Sequence, residues 1–184
     1  MAPERELDEV EPLEGDEGEP EVGRHRDVGR ACLHTEIADL RRAPAVTVPP
    51  DAPVQKAVDL MRAKKVSAVL VVERAKARRL VGIFTERDLV NRALPARGWA
   101  KARIDKFMTK APEALRARDP VAYAVNKMSV GGFRHVPIVD EAGRPAGLLS
   151  ARDVLDFVVE LCPEEILNLP PEPELAVHKT VDGD

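Results

Sequence analysis

The sequence predicts an α+β fold: two copies of a β-α-β-β-α unit packed about an internal pseudo-twofold axis, with acidic, disordered tails on either side. Three observations lead there. The heptapeptide GIFTERD at 82–88 returns as GLLSARD at 147–153, with glycine, two apolar residues, a hydroxyl and Arg-Asp in the same places. Upstream, PVQKAVDLMRAKKVSAVLVVE (53–73) aligns with PVAYAVNKMSVGGFRHVPIVD (120–140) at a constant offset of 67, which pairs Pro53 with Pro120, Ala57 with Ala124 and Met61 with Met128. The one gap falls in a turn, after which the offset holds at 65 through Asp88 and Asp153; a fixed period of this kind means duplication. Finally, the chain has 184 residues, 44% of them hydrophobic. A unit of about 60 residues buries two apolar helix faces and a small sheet poorly by itself, so the copies must pack on each other.

Within each copy the elements follow from local pattern. Asp51 and Asp119 are the expected N-caps of a first helix, each with a proline close behind, and apolar residues then recur at helical spacing: Val54, Ala57, Val58 and Met61, then Val121, Ala124, Val125 and Met128. The β-branched runs AVLVV (68–72) and HVPIV (135–139) read as strands, followed by a turn and a second strand, LVGIF or AGLLS. Thr85 and Ser150 open a second helix that should carry Leu89 and Val90, or Val154, Leu155 and Val158, toward the core. AVTV and EAL supply a short strand ahead of each unit.

The expected organisation is an acidic tail over 1–33, a first repeat over 34–94, a linker over 95–103 that contains Trp99, a second repeat over 104–162, and a Pro-rich acidic tail over 163–184. Charge divides along the same lines. Residues 1–30 hold 11 acidic and 4 basic residues, and residues 163–184 hold 6 acidic and 1 basic; the middle keeps 15 acidic against 23 basic. Such acidic segments with few core-forming residues default to disorder. A basic body attracts phosphates.

The paired motifs resemble those of tandem CBS domains, the adenosine-sensing unit also known as a Bateman module. The resemblance rests on TVPPDAPVQKAVDLM, AVLVV and LVGIFTERDLV in the first copy and on FMTKAPEAL and GGFRHVPIVDEAGRPAGLLSARDVLDFV in the second, over about 37–161. It implies a stand-alone regulatory module that binds an adenine nucleotide or adenosyl ligand, with AMP, ADP or ATP foremost, and that signals occupancy to an effector protein or through a homodimer. No further cofactor is implied. The default assembly in this family is two chains paired through their helical faces.

TERD and SARD have two readings. A hydroxyl at the N-cap and a carboxylate three residues later form a capping box that satisfies free N–H groups at the helix start, with no ligand needed. The same helix start favours a phosphate, because its N–H groups are unsatisfied and its dipole is positive there. By resemblance, Thr85, Asp88, Ser150 and Asp153 hold the ribose and phosphate. Gly82 and Gly147 would let a purine approach the strand. Thr47 would lie near the base, where the second copy has Ala114 or Leu115. By the same resemblance Arg134 and His135 would touch phosphate from the central space, with a partly buried strand histidine satisfied by the backbone as the other reading of His135; they stand where the first copy has Ser67 and Ala68. That difference predicts one good cleft and one weak one. Arg87 and Arg152 read as solvated or ion-paired surface.

Other chemistries find little footing. No G-x-S-x-G, H-E-x-x-H, P-loop or Cys-x-x-Cys motif occurs, and His25, His34, His135 and His178 are scattered, so neither an enzyme nor a metal site is expected. Aromatic residues make up 3% of the chain, too few to stack single-stranded nucleic acid, although a basic body could bind phosphate backbones nonspecifically. The alternative to a sensor is a ligand-free dimerisation scaffold. Cys32 and Cys162, with no apolar leader and no run of roughly 20 apolar residues to cross a bilayer, fit a reducing cytoplasm.

Overall fold

The structure, a computed structural model, describes residues 30–42 and 44–163. Of the tails expected over 1–33 and 163–184, residues 1–29 and 164–184, with His25 and His178, lie outside the described residues, and residues 30–33 are helical.

The first repeat runs β1 (Thr47–Val48), α1 (Val54–Lys64), β2 (Ala68–Val72), β3 (Leu80–Thr85) and α2 (Glu86–Asp88), which continues as a π-helical turn over Leu89–Ala93. After 3-10 turns at Trp99–Lys101 and Ile104–Lys106 comes β4 (Thr109–Lys110). The second repeat follows as β5 (Leu115–Arg116), α3 (Val121–Gly131), β6 (His135–Val139), β7 (Pro145–Ser150) and α4 (Ala151–Leu161). One sheet has the order β1-β2-β3-β4 and the other β5-β6-β7. β1 and β5 run parallel to β2 and β6, and each β2/β3 or β6/β7 hairpin carries a register shift at its far end, Val71/Val72 in one and Ile138/Val139 in the other. The α+β duplication therefore extends to a shared irregularity.

α1 buries Val54, Ala57 and Met61, and α3 buries Val121 and Ala124 with Met128 packed alongside. Both helices stop at a left-handed residue, Lys65 (φ 54°) and Gly132 (φ 65°), whose N–H groups return to carbonyls of the last turn. Glycine takes that conformation without a Cβ clash.

Three expectations need correction. The N-caps are Pro53 and Pro120, not Asp51 and Asp119. The Asp51 carboxylate is held by the Arg74 guanidinium at 2.8 Å, and the Asp119 carboxylate accepts the Arg116 N–H at 2.7 Å, so it points back along the chain instead of into the helix. Leu89 packs on the first core as expected, yet Val90 is exposed, because α2 makes a single α turn before it widens and meets Pro95, which has no N–H to continue the ladder. Leu155 also faces outward; Val154 and Phe157 are the α4 residues packed on the second core.

The segments that lead into the repeats are exchanged. Ile37 and Leu40, at the start of the first repeat, are buried in the core of the second, and Ile104, at the start of the second repeat, is buried in the core of the first. The Ile37 N–H donates to the Asp119 carbonyl (3.0 Å) as the Ile104 N–H does to that of Ala52 (2.9 Å), and Val121 donates to Thr35 (3.0 Å) as Val54 does to Ala102 (2.9 Å). All four residues of each pair of bonds are related by the offset of 67, which is the pseudo-twofold axis written in backbone hydrogen bonds. β4 extends the same exchange by adding to the first repeat's sheet at Gly82 and Ile83. Between the sheets, Ala68, Leu70 and Ile83 meet Leu148 of β7, and the Leu80 N–H donates to the Gly143 carbonyl at 2.9 Å. Trp99 lies against the first core.

Candidate functional site

Each repeat's hairpin delivers its strand end to a helix start. Thr85 caps α2: its hydroxyl accepts the Asp88 N–H at 3.3 Å, and Asp88 Oδ2 accepts the Thr85 N–H and O–H at 3.0 and 2.8 Å. Ser150 and Asp153 repeat the device at the start of α4 with 2.7, 2.7 and 3.3 Å. Both capping boxes are complete, and each cap is worth about 0.5–2 kcal/mol.

The two carboxylates differ in what remains. Asp88 is 7% exposed, and its Oδ1 takes an ion pair from Arg92 Nη1 at 3.1 Å, so both oxygens are committed within the chain. Asp153 Oδ1 has no hydrogen-bond or ion-pair partner among the described residues. The residue four places after Asp153 is Phe157, part of the second core, where the first repeat has Arg92.

Two cavities open on these helix starts. Cleft one, about 440 Å³, is lined by Thr85, Asp88 and Arg92 from the first repeat, with Thr109 and Pro112 from the segment entering the second. Cleft two, about 980 Å³, is lined by Ser150, Arg152 and Asp153, with Arg62, Lys65 and Leu148. Ser67, Glu86, Arg134 and His135 line both. Arg134 and His135 therefore border both clefts, and their presence in one repeat alone does not distinguish the two; the clefts differ in Arg92 on one side and in Arg62, Lys65 and Arg152 on the other.

The central contact is a 2.8 Å hydrogen bond between Ser67 Oγ and His135 Nε2, which joins the two hairpin ends. His135 stands across from Ser150 in the β6/β7 register. Burial, and then the neighbouring Arg134 charge, hold the imidazole below its ordinary value of 6.5, with Glu86 and Asp153 opposing weakly. At neutral pH His135 is thus an uncharged hydrogen-bonding group. Because the folded state resists a proton that the unfolded chain accepts, stability is full above pH 6.5 and falls as the pH drops through the depressed folded value. Urea denaturation from pH 8 to 5 should show this loss, and His135→Gln should reduce it; an unchanged pH profile in that variant would assign the loss elsewhere.

Three expected site residues stand apart. Gly82 and Gly147 are buried in their strands, and the space a side chain would need is filled by Met108 in front of Gly82 and by Arg42, with Nε at 3.0 Å, in front of Gly147. In this structure the close approach these glycines permit is made by the exchanged leading segments. Thr47 lines a separate cavity of about 270 Å³ with Arg74 and Arg78, and its hydroxyl accepts from Arg78 at 3.3 Å. It turns that way because Val48, its neighbour on the strand, takes the core side. Sequence reasoning in turn missed Arg92, although its place four residues after Asp88 is an ion-pair signal. It also missed Arg62 and Lys65, which read as ordinary cations at a helix C-terminus.

Among the described residues no group of His, Cys, Asp and Glu could hold a metal ion, and no helix is long and apolar enough to cross a membrane. The CBS domain family matches residues 37–94 and 104–160. The chain is 28% identical over 129 residues to an uncharacterized 17.7 kDa protein of Acidianus ambivalens, covering 70% of this chain and 76% of that one. It is 36% identical over 115 residues to the inosine-5'-monophosphate dehydrogenase of Aquifex aeolicus, covering 60% of this chain and only 22% of the dehydrogenase. Its fold is similar to that of a CBS domain protein from Pyrobaculum aerophilum complexed with AMP, with a TM-score of 0.63, 26% identity and coverage of 70% and 99% of the two chains.

Proposed function

The chain belongs to the CBS domain family, and on that premise we propose that it is a regulatory module, not an enzyme, that binds an adenine nucleotide such as AMP, ADP or ATP beside Ser150 and Asp153 and signals occupancy through a homodimer or to an effector protein. The observation that carries this reading is Asp153: a carboxylate fixed by its capping box in the lining of a cavity of about 980 Å³, with one oxygen left over. A free acceptor suits a ribose hydroxyl, and the helix start beside it suits a phosphate. The AMP complex of the Pyrobaculum neighbour supports the choice of ligand class. Ser150, Asp153, Arg134 and His135 are the proposed contacts, with Thr85 and Asp88 their counterparts in cleft one. A thermal-shift panel of AMP, ADP, ATP, NADH and S-adenosylmethionine tests it. No shift with any of them at millimolar concentration would leave only the fold.

The ligand-free scaffold reading draws on a different feature. α3 exposes Tyr123 (59%) and Val130 (81%), seven residues apart on one stripe, and α4 adds Leu155 (64%). Apolar patches of this kind mark interaction surfaces, and the proposed occupant is a second copy of the chain. Light scattering should return the mass of two chains for the wild type and of one for Tyr123→Asp/Val130→Asp; a dimer that survives both substitutions would move the interface elsewhere. Dimerisation without any ligand response in the panel would favour the scaffold.

A further inference from the structure

Resting on the ligand reading above, we propose that the two clefts are functionally unequal: cleft two is a polyphosphate site, selecting an adenine nucleotide with two or more phosphates, while Arg92 closes cleft one to nucleotides. Four cationic side chains, Arg62, Lys65, Arg134 and Arg152, border cleft two, against the carboxylates of Glu86 and Asp153. Among the described residues none of the four makes a side-chain hydrogen bond or ion pair with the protein. They come from three places in the fold: the end of α1, the approach to β6 and the first turn of α4. Arg62 and Lys65 complement the α1 dipole, which would explain them without a ligand. Arg152 has no such account, because a cation in the first turn of a helix opposes the dipole, and Arg134 lies outside any helix. Like charges gathered without partners around one cavity repel, and a multiply charged anion relieves that repulsion.

Cleft one shows the opposite state. Arg87 donates to the Gly132 carbonyl at 3.0 Å, and Arg92 bridges Asp88 (3.1 Å), the Phe107 carbonyl and the Thr109 hydroxyl (both 3.3 Å), which ties α2 to the segment entering the second repeat. Glu113 is paired with Lys127. Glu86 places a carboxylate at the first residue of α2, where α4 has Ala151. Of the cations that line cleft one, Arg87 and Arg92 are already engaged, which leaves a phosphate only Arg134, shared with cleft two as Glu86 is; a ribose would have to displace Arg92 from Asp88.

Titration calorimetry of the full chain with adenosine, AMP, ADP and ATP, with inorganic tripolyphosphate as competitor, separates the outcomes. The expected result is one site per chain, ATP bound at least about tenfold more tightly than AMP, and ATP displaced by tripolyphosphate. Arg62→Gln/Arg152→Gln should compress the ATP-to-AMP ratio to below about threefold. Arg92→Phe, which installs the residue found at the matching place in the second repeat, should add a second site for AMP. Equal affinities for AMP and ATP would overturn the polyphosphate assignment, and two sites in the wild type or one in Arg92→Phe would overturn the closure of cleft one; in either case nucleotide binding itself would stand. No heat with any adenosine compound would remove both this proposal and the reading beneath it.

Discussion

Asp153→Ala is expected to abolish ligand-induced stabilisation while costing the free protein only about 1 kcal/mol, the usual loss when one half of a helix cap is removed. The two numbers separate because Asp153 has two oxygens in two roles. Oδ2 accepts the Ser150 N–H and O–H, while Oδ1 has no partner among the described residues and the side chain lines the cleft. At 100 times its Kd a ligand stabilises by about 2.7 kcal/mol. For a domain of this size that corresponds to a rise in Tm of roughly 10 °C, and the variant should show none. Asp153→Asn sharpens the test: the amide oxygen can keep the cap while its NH2 faces the cleft, so an acceptor for the ribose is replaced by a donor. It should fold with near wild-type stability and still lose the shift. If either variant keeps the full shift with ATP, Asp153 serves the helix end alone and the ligand contacts lie elsewhere.

How much of this was legible from the residues divides by range. The hairpins AVLVV/LVGIF and HVPIV/AGLLS and both capping boxes follow from patterns shorter than a dozen residues, and the structure has them at those places. The exchange of leading segments left no such trace. Ile37 and Ile104 are the only large apolar residues of three-residue 3-10 turns, too short for periodicity to say which core receives them. The two-residue strand β4 exists only because Gly82 and Ile83 are there to pair with it. Asp51 looked like a cap because a proline follows it, and what diverts it is Arg74, 23 residues further on. At the site, the contrast between Glu86 and Ala151 and between Arg92 and Phe157 was visible in the alignment of TERDLVNR with SARDVLDF. Its meaning depends on which groups are already satisfied, and that is a property of the fold.

Replacing Ile37 by alanine should cost about 2–5 kcal/mol, the range for removing a fully buried aliphatic side chain, and the damage should fall on the repeat that Ile37 does not belong to. Ile37 is 0% exposed and packs with Leu115, Val136, Ile138 and Leu149 of the second repeat, so Ile37→Ala empties that core. Ile104→Ala should mirror it, emptying the first core around Val54, Val69 and Phe84. Native-state hydrogen exchange resolves the two, since partial openings expose local groups of amides before the whole molecule unfolds. In Ile37→Ala the β6/β7 amides should lose protection ahead of β2/β3; in Ile104→Ala the order should reverse. Loss confined to the repeat that follows the mutated segment would contradict the exchange, and uniform loss would mean the pair opens as one unit. The consequence for function lies in the position of the clefts. Met108 and Arg42, carried on these same segments, stand against Gly82 and Gly147 on the strands that lead to the capping boxes. A ligand that tightens one cleft therefore pulls on a segment that is anchored in that same repeat's core and runs on into the other repeat, and that connection is a physical route by which occupancy of cleft two would be felt across the whole module.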